Sequence, residues 1–526
     1  MKGTVLTSTL ILRKLPPEKE VHKVSVKSFW LTMGEMRLDA SFYAQEVTRA
    51  LRLLEESGYD IASLYDEFAN DVFYLPREKR FFADSHTGTP YLMPSELFYF
   101  PFSPSKFVYA KKLNKAEEWF VKEGWILLTR SGRLGELTLA TKVLQKFVVS
   151  DDVIRIVPKE GTLSGYVFAY LSTWVGKALL TKDQYGVTVE HIEPHHVKSV
   201  KVPLLPEEIQ KIIHRNIGIV FELRDRARQL LHESQEKLLK ELALPDIEKT
   251  TEKSSFPVKS DDLKMRFDAS YHNPVVDQIE SRLKQCKCDL KRLRNNMCRI
   301  FIPGRFKRIY VDPQHGIPLL SGKQIAQIKP YNLKCISTKV TQNIKDWMVE
   351  PGWVLVTCSG TIGRVSLVPK EWDGWTVSQH ALRIIPNINV VNNGFLAAFL
   401  LSEYGQQQIL SKTYGGVVDE LAEDDMRDIL VPLPPKDVQE NIGKLVVEAY
   451  QLREIANEIE DETVRTLENM LEEHRKVEVN EEYLKEINSY ADSFELISNE
   501  EFRKSREEFE AGRTISFDEF KKEHGF

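Results

Sequence analysis

The sequence predicts an α+β protein: two tandem mixed α/β domains, each closed by a long helix, related by internal pseudo-two-fold symmetry. Three observations predict it. Long stretches return at a shift of 228 or 229 residues; short apolar runs broken by Gly, Pro and Ser fill most of each copy; and each copy ends in a proline-led segment of helical texture. At 526 residues the chain far exceeds the ~150 residues usual for one domain, so two or more cores are expected.

The repeat is explicit. Met36-Arg37-Leu38-Asp39-Ala40-Ser41-Phe42-Tyr43 returns as Met265-Arg266-Phe267-Asp268-Ala269-Ser270-Tyr271-His272, identical at five of eight positions. Gly124-Trp125-Ile126-Leu127-Leu128-Thr129-Arg130-Ser131-Gly132-Arg133-Leu134-Gly135 returns as Gly352-Trp353-Val354-Leu355-Val356-Thr357-Cys358-Ser359-Gly360-Thr361-Ile362-Gly363. Ser150, Arg155 and Pro158 meet Ser378, Arg383 and Pro386. Tyr185-Gly186, Val202-Pro203-Leu204, Pro206 and Gln210 meet Tyr414-Gly415, Val431-Pro432-Leu433, Pro435 and Gln439. The period is too long for a solenoid unit, so each copy is a whole domain, running from about Met36 to Leu244 and from about Met265 to Arg475.

In chain order, Trp125 to Thr129, Phe147 to Val149 and Val153 to Val157 read as strands. After Pro206 the acids Glu207 and Glu208 suit a helix amino terminus. Ile213, Val220, Leu223, Ala227 and Leu230 then step by about three and four, and Ile442, Ala449, Leu452, Ala456 and Ile459 repeat the phases. Matched apolar seams favour two helices packing on each other; the alternative is that each lies across its own domain. Ser254 to Asp262 is polar, contains a proline and reads as the link between copies. The expected boundaries are 1–205 for the first domain, 206–250 for its helix, 251–434 for linker and second domain, 435–475 for the second helix and 476–526 for an acidic tail. Within that tail, Ser516 opens a short amphipathic helix bearing Phe517 and Phe520.

Composition is that of a globular protein, 42% hydrophobic and 28% charged, which excludes wholesale disorder. No apolar run is long enough to span a bilayer and no secretory leader is evident, so no membrane partner is expected. Five cysteines make no disulfide framework, and Cys286, Cys288 and Cys298 lack the second pair of a zinc site; free thiols in a reducing cytoplasm are expected. The net charge of −5 conceals a division: Val477 to Phe526 holds fourteen acids against seven bases, whereas Arg282 to Arg308 holds ten bases against one Asp. Local sign, not the sum, decides what a surface attracts.

Signatures of catalysis are missing: no phosphate loop, no Gly-x-Gly-x-x-Gly, no His-Glu-x-x-His, and no Asn/Asp-Pro-Pro-Tyr/Phe tetrapeptide of the amino-methyltransferases. His191, His195 and His196 form the best metal candidate, but the second copy carries Glu420, Asp424 and Asp425 there, so no metal site is expected. The helical acids read as solvated faces. The twice-present Thr-x-Ser-Gly-x-x-Gly element, with Thr129, Ser131, Gly132 and Gly135, then Thr357, Ser359, Gly360 and Gly363, reads first as a tight turn. A second reading is phosphate contact from Arg130 and Arg133 in one copy and Arg364 in the other. Arg305, Lys307 and Arg308 beside Phe306 and Tyr310, and Arg77, Lys79, Arg80, Lys106, Lys111, Lys112 and Lys115 in the first copy, interleave cations with aromatics as a nucleic-acid face does.

Taken together, Arg-x-Asp-Ala-Ser-(Phe/Tyr), Gly-Trp-(apolar)-Thr-x-Ser-Gly-x-x-Gly, and Val-Pro-Leu-x-Pro followed by Gln and a long helix, all repeated, resemble the DNA-specificity subunit of type I restriction-modification systems. Copy two is the closer match, through Tyr414-Gly415-Gly416 and Val431-Pro432-Leu433-Pro434-Pro435-Lys436-Asp437-Val438-Gln439; copy one has Leu205 in place of Pro434. The tail after Arg475 departs from the family pattern. The resemblance implies two target-recognition domains held apart by two antiparallel helices, each reading one half of a bipartite, asymmetric site in double-stranded DNA. It implies two methyltransferase subunits docked on the helices, a motor-nuclease restriction subunit joining that core, and S-adenosylmethionine on the methyltransferases, the chain itself having no cofactor and no catalytic residue.

The expected DNA contacts are Lys106, Arg130, Ser131, Arg133, Arg305, Lys307, Arg308, Lys323, Ser359 and Arg364, and the expected partner-binding helix positions are Val220, Leu223, Leu230, Leu452 and Ile459. Two other readings stand beside this one: a self-contained methyltransferase or nuclease with divergent motifs, and a duplicated scaffold that does not bind DNA.

Overall fold

The computed structural model describes residues 45–85, 87–131, 134–183, 191–245, 247, 255–263, 266–294, 296–339, 341, 343–416 and 418–473. The Met36–Tyr43 motif, Arg133, Tyr185-Gly186 and the helix expected at Ser516 lie outside the described residues.

The first copy comprises α1 (Gln45–Glu56), β1 (Asp60–Ser63), β2 (Ala69–Phe73), β3 (Phe82–Ala83), β4 (Thr89–Leu92), β5 (Lys106–Val108), β6 (Ile126–Thr129), β7 (Leu137–Leu139), β8 (Val148–Val149), β9 (Val153–Pro158), α2 (Ser164–Ser172), α3 (Trp174–Thr181), α4 (Pro194–Lys198), β10 (Lys201–Leu204) and α5 (Glu207–Glu241). The second repeats that order as α6 (Pro274–Gln285), β11 (Asp289–Arg292), β12 (Cys298–Phe301), β13 (Tyr310–Val311), β14 (Gly316–Leu320), β15 (Lys334–Ser337), β16 (Val354–Thr357), β17 (Val365–Leu367), β18 (Thr376–Val377), β19 (Ala381–Pro386), α7 (Asn393–Leu401), α8 (Glu403–Ser411), α9 (Glu423–Arg427), β20 (Leu430–Leu433) and α10 (Lys436–Glu472).

Each lobe holds two four-stranded sheets, β2-β9-β6-β7 with β3-β5-β4-β8 and β12-β19-β16-β17 with β13-β15-β14-β18, plus a ribbon, β1-β10 or β11-β20. Identical strand orders in both lobes confirm the duplication at the level of topology. The central strands read as continuous apolar runs because both faces are covered: Ile126 to Thr129 and Val354 to Thr357 are buried at every position.

The long helices begin one residue after Pro206 and Pro435, which fix the φ of the entering chain. They run antiparallel: Arg224 meets Asn457 and Glu460 at mid-length, the Ile209 end of α5 shares a core with Leu467 and Leu471, and the Leu238 end shares one with Ile442. Each end of this two-helix rod is thereby built into one lobe. Glycine permits the close approach. A Cβ at Gly165 would come within 2.7 Å of the His214 carbonyl oxygen, and one at its repeat mate Gly394 within 2.3 Å of the Gly443 carbonyl oxygen, so α2 crosses α5, and α7 crosses α10, at backbone contact.

The acids of the rod depart from expectation. Glu454 and Glu460 are buried, not solvated. Burial alone would raise the Glu460 carboxyl, but Arg224 at 2.7 Å and Lys329 at 2.8 Å outweigh it and hold the pKa down to about 2. Lys329 comes from the second lobe and also meets Asp461 at 2.6 Å.

The lobes also touch each other. Phe100 N donates to the Ala326 carbonyl and Ile328 N to the Phe98 carbonyl, both at 2.8 Å, around an antiparallel bridge of Tyr99 with Gln327. Phe98, Tyr99 and Phe100 are the 228-residue repeat mates of Ala326, Gln327 and Ile328, so the pseudo-two-fold axis passes through this bridge. The two domains are separated by the helices and also joined at one point on the axis.

Candidate nucleic-acid interface

The Thr-x-Ser-Gly turn follows a buried strand in both lobes, and in the second its polar atoms serve the turn itself. The Thr357 hydroxyl donates to the Thr361 carbonyl at 2.6 Å and accepts from Arg364 N at 2.9 Å, while Gly360 N donates to the Asp419 carbonyl at 3.0 Å. Gly360 and Gly363 have φ of +78° and +87°, and Gly135 has +80°, a region that disfavours any side chain. The turn reading of the motif is therefore the one its hydrogen bonds fit.

Arg130 sits inside this lobe wall, its side chain 13% exposed, between Glu193 at 2.7 Å and Asp152 at 3.3 Å and over the Tyr74 ring at 4.1 Å. Burial would lower its pKa, but the bonds to Glu193 reverse that and keep it charged. Ser131 donates to the same Asp152. At the equivalent places the second lobe has Cys358, buried and pushed up to about 11 by burial, and His380. Copy one thus holds an ionic cluster where copy two holds a nearly neutral one. His196, part of the metal candidate, caps α4 by accepting from Glu193 N, and among the described residues no group of three His, Cys, Asp or Glu is arranged to hold a metal. All five cysteines are free thiols.

Another repeated pair of arginines is structural. Arg155 donates to the carbonyls of Val149 and Val153 at 2.9 Å and Ser150 at 3.4 Å; Arg383 donates to those of Ser378 at 2.9 Å, Ala381 at 2.6 Å and Val377. Both are fully buried, and burial lowers them to about 10 and about 9. Each clamps the turn that joins the two sheets of its lobe.

Of the remaining basic candidates, Lys106 lies in the first lobe and Arg305, Lys307, Arg308 and Lys323 in the second. Lys106 is exposed on β5, its ammonium 5.4 Å from the Phe82 ring on β3. Arg305 and Lys307 are exposed, and Arg308 is half-buried, donating to Gln379 at 2.7 Å. Burial, Arg308 and Arg305 together lower the pKa of His380, which places both arginines in electrostatic reach of the residue whose carbonyl accepts from Cys358 N. Lys323 is exposed next to Gly322, whose Cβ position is 3.4 Å from Thr357. Arg305 and Arg308 thus lie near the turn that carries Ser359, as Arg130 and Ser131 gather around Asp152, while Lys323 lines a groove with Tyr99 and Thr361. Arg364 does not join them: it reaches the first lobe, donating to the Tyr99 hydroxyl at 2.5 Å with its guanidinium 4.3 Å from the ring. The helix positions Val220, Leu230, Leu452 and Ile459 are buried in the rod and Leu223 is half-buried, so the seam is consumed by the helix pair itself.

Sequence reasoning missed the interlobe bridge, the Arg224–Glu460–Lys329 cluster and the burial of Arg155 and Arg383. Only the last had a signal, since Arg155 and Arg383 recur in register beside Ser150 and Ser378 within strand-like runs.

Two lobes of one topology, each carrying exposed cations, fit a protein that binds DNA through a duplicated domain. The chain belongs to the type I restriction-modification DNA-specificity family: the Type I restriction modification DNA specificity domain matches residues 70–224 and 316–462, more than half of its length. It is the specificity subunit of such a system, the component that recognises DNA and does no chemistry itself. Among solved structures it is similar to the S subunit of a type I restriction-modification system from M. genitalium, at 13% identity and a TM-score of 0.33, covering 79% of this chain and 96% of that one. It is also similar to the HsdS subunit from Thermoanaerobacter tengcongensis, at 15% identity and a TM-score of 0.26, covering 80% and 97%. No protein of curated function matches it in sequence. Among the described residues no helix is long and apolar enough to cross a membrane.

Proposed function

We propose that the two lobes read the two unlike halves of a bipartite, asymmetric duplex site, and that two methyltransferase subunits and a motor-nuclease subunit assemble around the rod. S-adenosylmethionine is then bound by the methyltransferases. The observation that carries this reading is the pair of diverged, topologically identical lobes, each presenting exposed cations without a carboxylate partner among the described residues: Lys79 and Lys106 in one, Arg305, Lys307 and Lys323 in the other. Such cations bind phosphate and release counterions. Arg308 joins them; Arg130, Ser131, Ser359 and Arg364 shape the turns beside them, and Arg133 lies outside the described residues. Partners reach the rod through its outer polar faces, because its apolar seam is already filled.

Co-expression of the chain with its neighbouring genes, followed by single-molecule mapping of methylated positions, tests the reading. A split consensus with a fixed nonspecific spacer is expected. Methyl transfer by the lone chain would instead favour a self-contained methyltransferase, and an assembled complex with no salt-sensitive duplex binding would favour a scaffold.

A further inference from the structure

The repeat extends beyond the motifs quoted above. Arg77-Glu78-Lys79-Arg80-Phe81-Phe82 aligns at a shift of 228 with Arg305-Phe306-Lys307-Arg308-Ile309-Tyr310, and Lys106 aligns with Lys334. In three dimensions the match extends to side chains. Phe82 on β3 is 52% exposed with the Lys106 ammonium 5.4 Å from its ring; Tyr310 on β13 is 47% exposed with the Lys334 ammonium 4.9 Å from its ring. Both strands are edges of their sheets, paired on one side only, to β5 and β15. Arg80 is ion-paired to Asp151, and Arg308 donates to Gln379, the repeat mate of Asp151, so each anchors the turn in front of the edge strand.

Two classes of position separate. Arg77, Lys79, Arg80 and Lys106 recur with charge intact as Arg305, Lys307, Arg308 and Lys334, whereas Phe81, Phe82 and Tyr109 become Ile309, Tyr310 and Ser337. Phosphates are alike in every duplex; base edges are not. A surface duplicated to read a second sequence keeps the first class and changes the second.

We infer that Phe82 and Tyr310 are specificity-determining residues, each contacting a base edge of one half-site, with Lys106 and Lys334 bridging ring and phosphate. The inference rests on the DNA-reading role proposed above. A Phe ring offers a base edge no hydrogen-bonding group and suits apolar groups such as a thymine methyl, while the Tyr310 hydroxyl adds a donor and an acceptor, so the two lobes read different bases through one geometry.

The test uses the full chain in complex with its methyltransferase subunits. Phe82→Ala is expected to relax the consensus at one half-site and Tyr310→Ala at the other, each without change in the salt slope, because neither residue is charged. Lys106→Ala and Lys334→Ala should instead weaken binding to all sequences and lower the slope by about one. Should an alanine variant fail to fold, the ring exchanges Phe82→Tyr and Tyr310→Phe are scored the same way, with a changed base preference at one half-site expected. A wild-type consensus in all the aromatic variants, or a uniform loss of affinity with that consensus retained, overturns the inference. A wild-type complex without sequence-specific binding would overturn the DNA-reading role itself.

Discussion

One residue type, arginine, meets four fates in this chain, and the contacts that each makes in the fold decide among them. Arg305 is exposed; Arg130 is caged by Asp152 and Glu193; Arg364 crosses to the Tyr99 ring; Arg155 and Arg383 are sealed in the core with backbone carbonyls. The fates predict different phenotypes. Arg155→Ala strips three buried carbonyls of a donor and Arg383→Ala four, that of Trp347 included, and each should cost ~3 kcal/mol or more of stability, seen as a lower urea midpoint, with base preference unaltered. Arg305→Ala should leave the midpoint alone and reduce the salt dependence of DNA binding. A loss of binding with no loss of stability in Arg383→Ala would show that the buried clamp has been misread. The sequence alone cannot sort Arg130 and Arg364 from Arg305, because Glu193 stands 63 residues from Arg130 and the Tyr99 hydroxyl 265 from Arg364.

At the scale of elements, local chemistry was far more legible. Pro206 and Pro435, each followed by an acid within two residues, announce the starts of α5 and α10, and the threes-and-fours seam announces which face they bury. What the seam conceals is the polar insertion at its centre, since glutamate on a helix normally reads as solvated. Arg224 and Arg453 are repeat mates, yet only the first faces a carboxylate on the other helix; Arg453 lies over Tyr450, Trp372 and Phe100 and pairs with its neighbour Glu454. Glu460 makes this asymmetry testable. Its folded pKa, about 2, lies below the ~4.3 of an unfolded glutamate, so its stabilisation is fully present above that value and disappears as pH falls towards 2. Glu460→Gln leaves Arg224 buried without a carboxylate and Lys329 with Asp461 alone, and should cost ~3 kcal/mol or more near neutral pH. The gap between wild type and variant in urea midpoint should then close progressively from about pH 4.5 to pH 2. A gap that stays constant across that range would mean the carboxylate charge is not what holds the centre of the rod.

For the whole molecule, two devices determine where one lobe stands relative to the other. The rod is one: α5, with 35 residues, is about 52 Å long, and each lobe is fused to an end through a core shared with both helices. The bridge on the pseudo-two-fold axis is the other. Its backbone bonds are reinforced by the Phe98 and Tyr331 rings at 5.8 Å, the Arg364–Tyr99 contact, and Asn332 donating to Glu136 at 3.1 Å. Glu136 and Arg364 are repeat mates that lie just beyond the two Thr-x-Ser-Gly turns, so each turn delivers one side chain to the opposite lobe. A rod alone bends and twists along its length, whereas a rod closed by a bridge at its midpoint has no free hinge between the lobes. The spacing between half-sites should therefore be strict in the wild-type complex. Tyr99→Ala with Arg364→Ala removes side chains from the joint without touching either recognition edge, and methylation mapping of that double variant should show both half-sites unchanged with spacers one base pair shorter or longer now accepted. Deleting four residues from both helices, roughly 6 Å of rod, should shorten the preferred spacer by about two base pairs, but only with the joint loosened in this way, since the intact bridge holds the old distance. A double variant that kept the original spacer as its only one, or a helix deletion that shortened it with the bridge intact, would assign the measurement of distance to the rod by itself.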